Sequence, residues 1–110
     1  MAAQSNCATF VVRYTYATAG EIRRHHQPAH REYLNVLTES GYLLVAGPIE
    51  NANSGVLILR ANDEAQLSEL LSADPYAVHD MIDRTEVLRW VPRVGVMSRD
   101  FQSLVHEGKL

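Results

Sequence analysis

The stretch Pro28-Ala29-His30-Arg31-Glu32-Tyr33-Leu34-Asn35-Val36-Leu37-Thr38-Glu39-Ser40-Gly41 decides how the rest of the chain is read. It begins at a proline and stops at a glycine, the two ends of a helix where these residues are best tolerated. Steps of four, three and four residues return to the same side of a helix, so His30, Leu34, Leu37 and Gly41 share one face. An imidazole therefore belongs to the buried stripe. It sits within about one turn of the helix start, where a ligand can still reach it.

Upstream, residues 8–16 alternate, with Phe10, Val12, Tyr14 and Tyr16 on one side and Thr9, Val11, Arg13 and Thr15 on the other, which is the period of a strand. Residues 17–27 lack a clear period and contain Gly20, so they read as a connection with room for a helical turn before Pro28. Downstream, residues 42–46 are apolar and are interrupted by Gly47-Pro48, which ends a second strand at or just beyond that break. Asn51-Ala52-Asn53-Ser54-Gly55 has turn composition, and residues 56–60 are again apolar, so the two strands form an antiparallel hairpin.

Asp63, with Gln66 three residues later, resembles a capping box and starts a second helix whose stripe is Leu67, Leu70 and Leu71. Pro75 stops that helix, and Asp74-Pro75 opens a further turn. Residues 85–91, with Val87, Trp90 and Val91, read as the fourth strand. The order is strand, helix, strand, strand, helix, strand. Both helix stripes need a common apolar surface, so the helices cover one face of a four-stranded antiparallel sheet in a ferredoxin-like α+β arrangement.

At 110 residues and 46% apolar the chain suits one domain, 1–110, with a core over 8–92 and a tail over 93–110 in which Phe101, Leu104 and Val105 have near-helical spacing. Ten basic against thirteen acidic residues give a net charge of -3, which argues against a nucleic-acid footprint. The lone cysteine, Cys7, offers neither a disulfide nor a zinc pair, and points to a reducing, cytoplasmic setting. No stretch approaches the roughly 20 apolar residues of a membrane helix, and the first residues lack the pattern of a secretory signal.

The runs Tyr42-Leu43-Leu44-Val45 and Val56-Leu57-Ile58-Leu59 are apolar at successive positions, so both faces of these strands call for shielding. Helices cover one face only. At about 25 cal/mol per Å² the other face would forgo several kcal/mol if left wet, so a homodimer packed sheet to sheet is expected.

His30 at a helix start, with a carboxylate beside it, would suit a proton carrier working near neutral pH. A satisfied core histidine is the other explanation of the same pattern. Asp74 is the candidate carboxylate, and it also suits the role of N-cap for the turn at Pro75. A His/Asp pair fixes an imidazole tautomer, but no serine lies in a Gly-x-Ser-x-Gly context and Cys7 is near the terminus, so acyl transfer is unsupported. Proton abstraction or delivery on a small molecule fits better. His26 and His30 are four apart, yet Pro28 lies between them and no glutamate or cysteine stands in ligand register, which leaves a metal site unsupported. No glycine-rich phosphate loop or dinucleotide fingerprint is present, so no cofactor is implied.

Gln27-Pro28-Ala29-His30, then Gly41 followed by Leu43-Leu44-Val45-Ala46-Gly47-Pro48, then Ala73-Asp74-Pro75-Tyr76, and a closing strand ending at Trp90, resemble the YCII-related (YciI-like) family over residues 10–91. The resemblance implies a dimeric α+β barrel similar to muconolactone isomerase, with His30 and Asp74 as the active-site pair. One branch of the family resembles a dehydrochlorinase of chlorinated hydroxyhydroquinones, a lyase-type reaction needing no cofactor. Some members carry arginine where this chain has Gln27, and here Arg23 and Arg24 lie further back. The expected pocket, between sheet and helix, is lined by Gly47, Pro48, Tyr76 and Tyr14 or Trp90, with Arg23 as a further substrate contact. Its substrate would be a small aromatic or lactone-like organic acid. A non-catalytic dimeric binding module and a cofactor-free monooxygenase are the other classes open to such a chain.

Overall fold

The computed structural model describes residues 7–17 and 20–98. The elements follow the order β1 (Ala8–Tyr16), α1 (Gly20–Arg23), α2 (Gln27–Glu39), β2 (Leu43–Pro48), β3 (Ser54–Ala61), α3 (Glu64–Ser72), α4 (Pro75–Val78) and β4 (Ile82–Trp90). The four strands form one antiparallel sheet in the order β2-β3-β1-β4. This is the expected α+β arrangement, with α1 and α4 added as single turns at the connections.

Local chemistry sets the boundaries. Helix α2 has Pro28 in its first turn and, just past its Ser40 cap, is closed off by Gly41, whose φ is +85°, the left-handed conformation that glycine tolerates best. The Gly41 amide donates to Thr38 and the Tyr42 amide to Leu37, so two orphan carbonyls are satisfied in a Schellman motif. Asp63 caps α3 by accepting from the Gln66 amide at 2.8 Å, while the Gln66 side-chain oxygen reaches back to the Asn62 amide at 2.7 Å.

Phe10, Val12 and Tyr14 of β1 and Leu57 and Leu59 of β3 pack against Leu37 of α2 and Leu67 of α3 to make the core. Along α2, His30 and Leu37 are buried and Leu34 is half-buried, as the stripe requires. Tyr33 ties α2 to α3 by donating its hydroxyl to the Leu70 carbonyl at 2.6 Å.

The other face of the sheet has a continuous apolar row. Val45 pairs with Ile58, Ile58 with Val11, and Val11 with Leu88, so the row crosses all four strands. Its outer members, Val45 and Leu88, are 56% and 64% exposed in the single chain.

Some strand boundaries differ from the sequence reading, and one expectation falls beyond the described residues. β3 starts at Ser54 rather than at Val56, because Gly55 pairs with both Tyr14 and Pro48. β4 begins at Ile82 rather than Thr85, since Ile82 and Arg84 pair with Tyr16 and Thr15 of β1, and Asp83 and Arg84 are exposed because β4 is an edge strand among the described residues. Phe101, Leu104 and Val105 lie outside the described residues.

Candidate active site

The turn between α3 and α4 builds the site's anchor. Asp74 is extended at φ -62°, ψ 128°, as the residue before a proline should be, and it caps α4 by accepting from the Tyr76 amide at 2.9 Å. The same oxygen, Oδ1, lies 2.7 Å from Nδ1 of His30. The second oxygen, Oδ2, accepts from the Tyr14 hydroxyl at 3.1 Å. The cap and the imidazole partner, read from sequence as competing roles, are therefore filled by one carboxylate. Asp74 is 1% exposed and serves three donors, which satisfies the rule that a buried acid be hydrogen-bonded.

A carboxylate only accepts, so Nδ1 of His30 donates and the ring's other nitrogen, Nε2, carries the lone pair. Nε2 has no hydrogen-bond partner among the described residues. The ring is held from the side as well, for Tyr76 stacks on it with centroids 3.8 Å apart and planes 6° from parallel. Tyr16 in turn meets Tyr76 edge-on at 5.7 Å.

His30 opens onto a cavity of about 400 Å³ between α2 and the β1, β3 and β2 end of the sheet. Its size is at the lower end of small-molecule pockets. Of the expected lining residues, Gly47, Pro48, Tyr76 and Arg23 are present. Tyr14 is close, but behind Asp74 and away from the cavity wall, 1% exposed. Trp90 is not in the wall; it pairs with Thr9 at the far end of β1, whereas the cavity lies beside Tyr16. A strand of nine residues has two ends, and sequence alone gave no means of choosing between them.

Tyr16, Gln27, Arg31 and Gly55 line the cavity without having been singled out as site residues. The signal for Tyr16 was its period-two relation to Tyr14, and that for Arg31 its place one turn beyond Gln27 on the helix that bears His30. Gly55 matters by what it lacks, since a Cβ there would lie 2.7 Å from the Tyr16 hydroxyl.

The tyrosines carry the clearest electrostatic mark. Burial, and then the Asp74 carboxylate, push the Tyr14 hydroxyl far above its ordinary pKa. Burial likewise raises Tyr16 and Tyr76, while Arg23 pulls both back down. Arg23 lies 4.0 Å over the Tyr16 ring and donates to Asn53 Oδ1 at 2.9 Å. His26 turns its ring onto His79 at 4.2 Å, and no group of three or more His, Cys, Asp or Glu side chains gathers around a metal-sized point among the described residues. Cys7 is buried and unbridged, and burial raises its thiol pKa. No helix among the described residues is long and apolar enough to cross a membrane.

With the His30–Asp74 contact beside a cavity and the βαββαβ sheet in place, comparison with known proteins gives the family and the fold. The chain belongs to the YCII-related domain family, which matches residues 9–91. Its fold is similar to that of a 5-chloro-2-hydroxyhydroquinone dehydrochlorinase from Burkholderia phenoliruptrix solved in complex with 2,5-dihydroxybenzoquinone, with a TM-score of 0.66 at 21% identity over 74% of this chain and 92% of that one. It is also similar to an antibiotic biosynthesis monooxygenase-type protein from Bacteroides thetaiotaomicron, with a TM-score of 0.57 at 16% identity over 83% and 93% of the two chains. A NIPSNAP domain protein from Burkholderia xenovorans gives 0.50 at 22% identity over 76% and 92%. Identities this low show a shared fold and no more. No curated protein matches the chain.

Proposed function

We propose that the protein is a cofactor-free acid/base enzyme, of lyase or isomerase type, acting on a small aromatic or lactone-like organic acid. The observation that carries this reading is the 2.7 Å contact between His30 Nδ1 and Asp74, which leaves Nε2 as a base at the cavity. In an elimination Nε2 would take a proton from the substrate while a leaving group such as chloride departs with its bonding electrons. In an isomerisation the same nitrogen would take the proton from one carbon and return it to another. In both, Asp74 holds the ring and stabilises the imidazolium formed in the middle of the reaction. The similarity in fold to a dehydrochlorinase supports the first version without deciding the substrate.

The active form in this proposal is a cytoplasmic homodimer. The row Val45, Ile58, Val11 and Leu88 is the kind of apolar patch that a second copy of the sheet would cover.

The test is a panel of chlorinated hydroquinones and lactone acids, followed by product analysis with the wild type and His30→Ala. Turnover by the wild type that drops by about 100-fold or more in the variant is expected, since positioned acid/base groups contribute at least that much. Equal turnover in both, or binding by both with turnover by neither, refutes the proposal.

A further inference from the structure

The His30–Asp74 pair makes no use of the positive charge gathered at the cavity. Arg23 closes α1, Gln27 opens α2 and Arg31 follows one turn later, so the three recur every four residues and all line the cavity beside His30. None of the described residues in its wall is acidic. The acid nearest to His30, Asp74, lies behind the imidazole, with both oxygens already accepting. A chain of net charge -3 thus presents a cavity with two guanidinium groups and no carboxylate in its wall.

The two arginines are not equivalent. Arg23 is steadied by the Tyr16 ring and by Asn53, which sets the plane of its fork. Arg31 is exposed at the rim and forms no ion pair or hydrogen bond among the described residues. Both act on one point: against the upward push of burial, Arg23 and then Arg31 lower the pKa of the Tyr76 hydroxyl. Guanidinium forks match the two oxygens of a planar oxyanion better than any other side chain does.

We propose that Arg23 and Arg31 form an anion clamp, so that the substrate enters as a planar ring compound bearing a delocalised oxyanion, either a carboxylate or an ionised vinylogous acid. The assignment rests on the acid/base reading for where the reacting proton lies, at Nε2 of His30. The charge preference stands on the arginines.

Calorimetric titration of the full chain tests it, using 2,5-dihydroxybenzoate against its neutral amide, and 2-hydroxy-1,4-naphthoquinone against its methyl ether. At least one acid is expected to bind about tenfold or more tighter than its neutral partner, and which acid does so separates carboxylate from vinylogous acid. Arg31→Gln, a change at an exposed position that leaves the fold intact by circular dichroism, should remove most of that difference, and Arg23→Gln should do the same. Neutral partners that bind as well as the acids, acids that bind both variants as tightly as the wild type, or no binding of either acid would each overturn the clamp. Arginine-dependent binding with no turnover of any panel compound keeps the clamp and removes the proton transfer. Turnover of neutral compounds that His30→Ala abolishes and Arg31→Gln leaves unchanged does the reverse.

Discussion

Replacing Tyr14 by phenylalanine removes one oxygen from the least accessible part of the site. Tyr14 is 1% exposed, and its hydroxyl donates to Asp74 Oδ2 at 3.1 Å. A hydrogen bond to a charged acceptor contributes roughly 1.5–3 kcal/mol net, so Tyr14→Phe should be about 2 kcal/mol less stable than the wild type at pH 7. The deficit should then shrink with pH. Burial and the Asp74 carboxylate raise the Tyr14 pKa in the folded chain, whereas in the unfolded chain a tyrosine titrates near its ordinary value of about 10.

Below that value both states hold the proton and the whole contribution is present. Above it the unfolded chain releases the proton while the folded chain keeps it. Stability therefore falls by about 1.4 kcal/mol per pH unit for this one group. By pH 11.5 the wild type has lost roughly 2 kcal/mol that Tyr14→Phe never had, and the two proteins converge. The raised hydroxyls of Tyr16, Tyr33 and Tyr76 remain in both and cancel in the difference. Urea unfolding followed by circular dichroism at pH 7, 9, 10.5 and 11.5 measures the gap. A gap that stays constant or widens above pH 10 would refute the reasoning, for it would mean that this hydroxyl titrates alike in both states.

Asp74→Asn can keep its oxygen toward His30 and the Tyr76 amide only by turning its NH₂ group toward Tyr14; turnover should fall by about 100-fold or more with the fold retained, and undiminished kcat would reduce Asp74 to a helix cap. Gly55→Ala places a methyl group 2.7 Å from the Tyr16 hydroxyl, so the ring must swing and take its contact with Arg23 along; binding of 2,5-dihydroxybenzoate should weaken several-fold in calorimetry while the melting temperature changes little. Leu88→Glu puts a charge at the 64% exposed end of the apolar row; in sedimentation velocity the wild type is expected to run as the proposed dimer and the variant as a monomer.

The parts of the fold that were legible in the sequence were those where one local rule decided the outcome. The alternation of residues 8–16 gave β1 to the residue, and Asp63 with Gln66 gave the start of α3. The start of β3 was harder, because Ser54 and Gly55 have turn composition yet pair with Thr15 and Tyr14, and the glycine at 55 leaves room for the Tyr16 hydroxyl. The start of β4 was hidden for a different reason: Asp83 and Arg84 on an exposed edge break the apolar alternation that marks a strand.

In the site, the His30–Asp74 pairing joins residues 44 apart in sequence, and the spacing of neither residue announces it. What could be read was that each stood at the opening turn of a helix. That made Asp74 a candidate partner for His30, and the resemblance to a known family strengthened the pairing. Trp90 shows the opposite case, an aromatic residue at a strand end whose distance from the cavity depends on strand register alone.

The proposed proton transfer turns on which nitrogen of His30 carries the proton. Long-range ¹H–¹⁵N correlation spectra of the uniformly labelled protein near pH 8, with the resonance assigned by its loss in His30→Gln, read this directly. The structure predicts the Nδ1–H tautomer, with an unprotonated Nε2 facing the cavity, and a shift of the Nε2 resonance when 2,5-dihydroxybenzoate is added. An Nε2–H tautomer, or a fast-exchanging mixture like that of a solvent-exposed histidine, would contradict it.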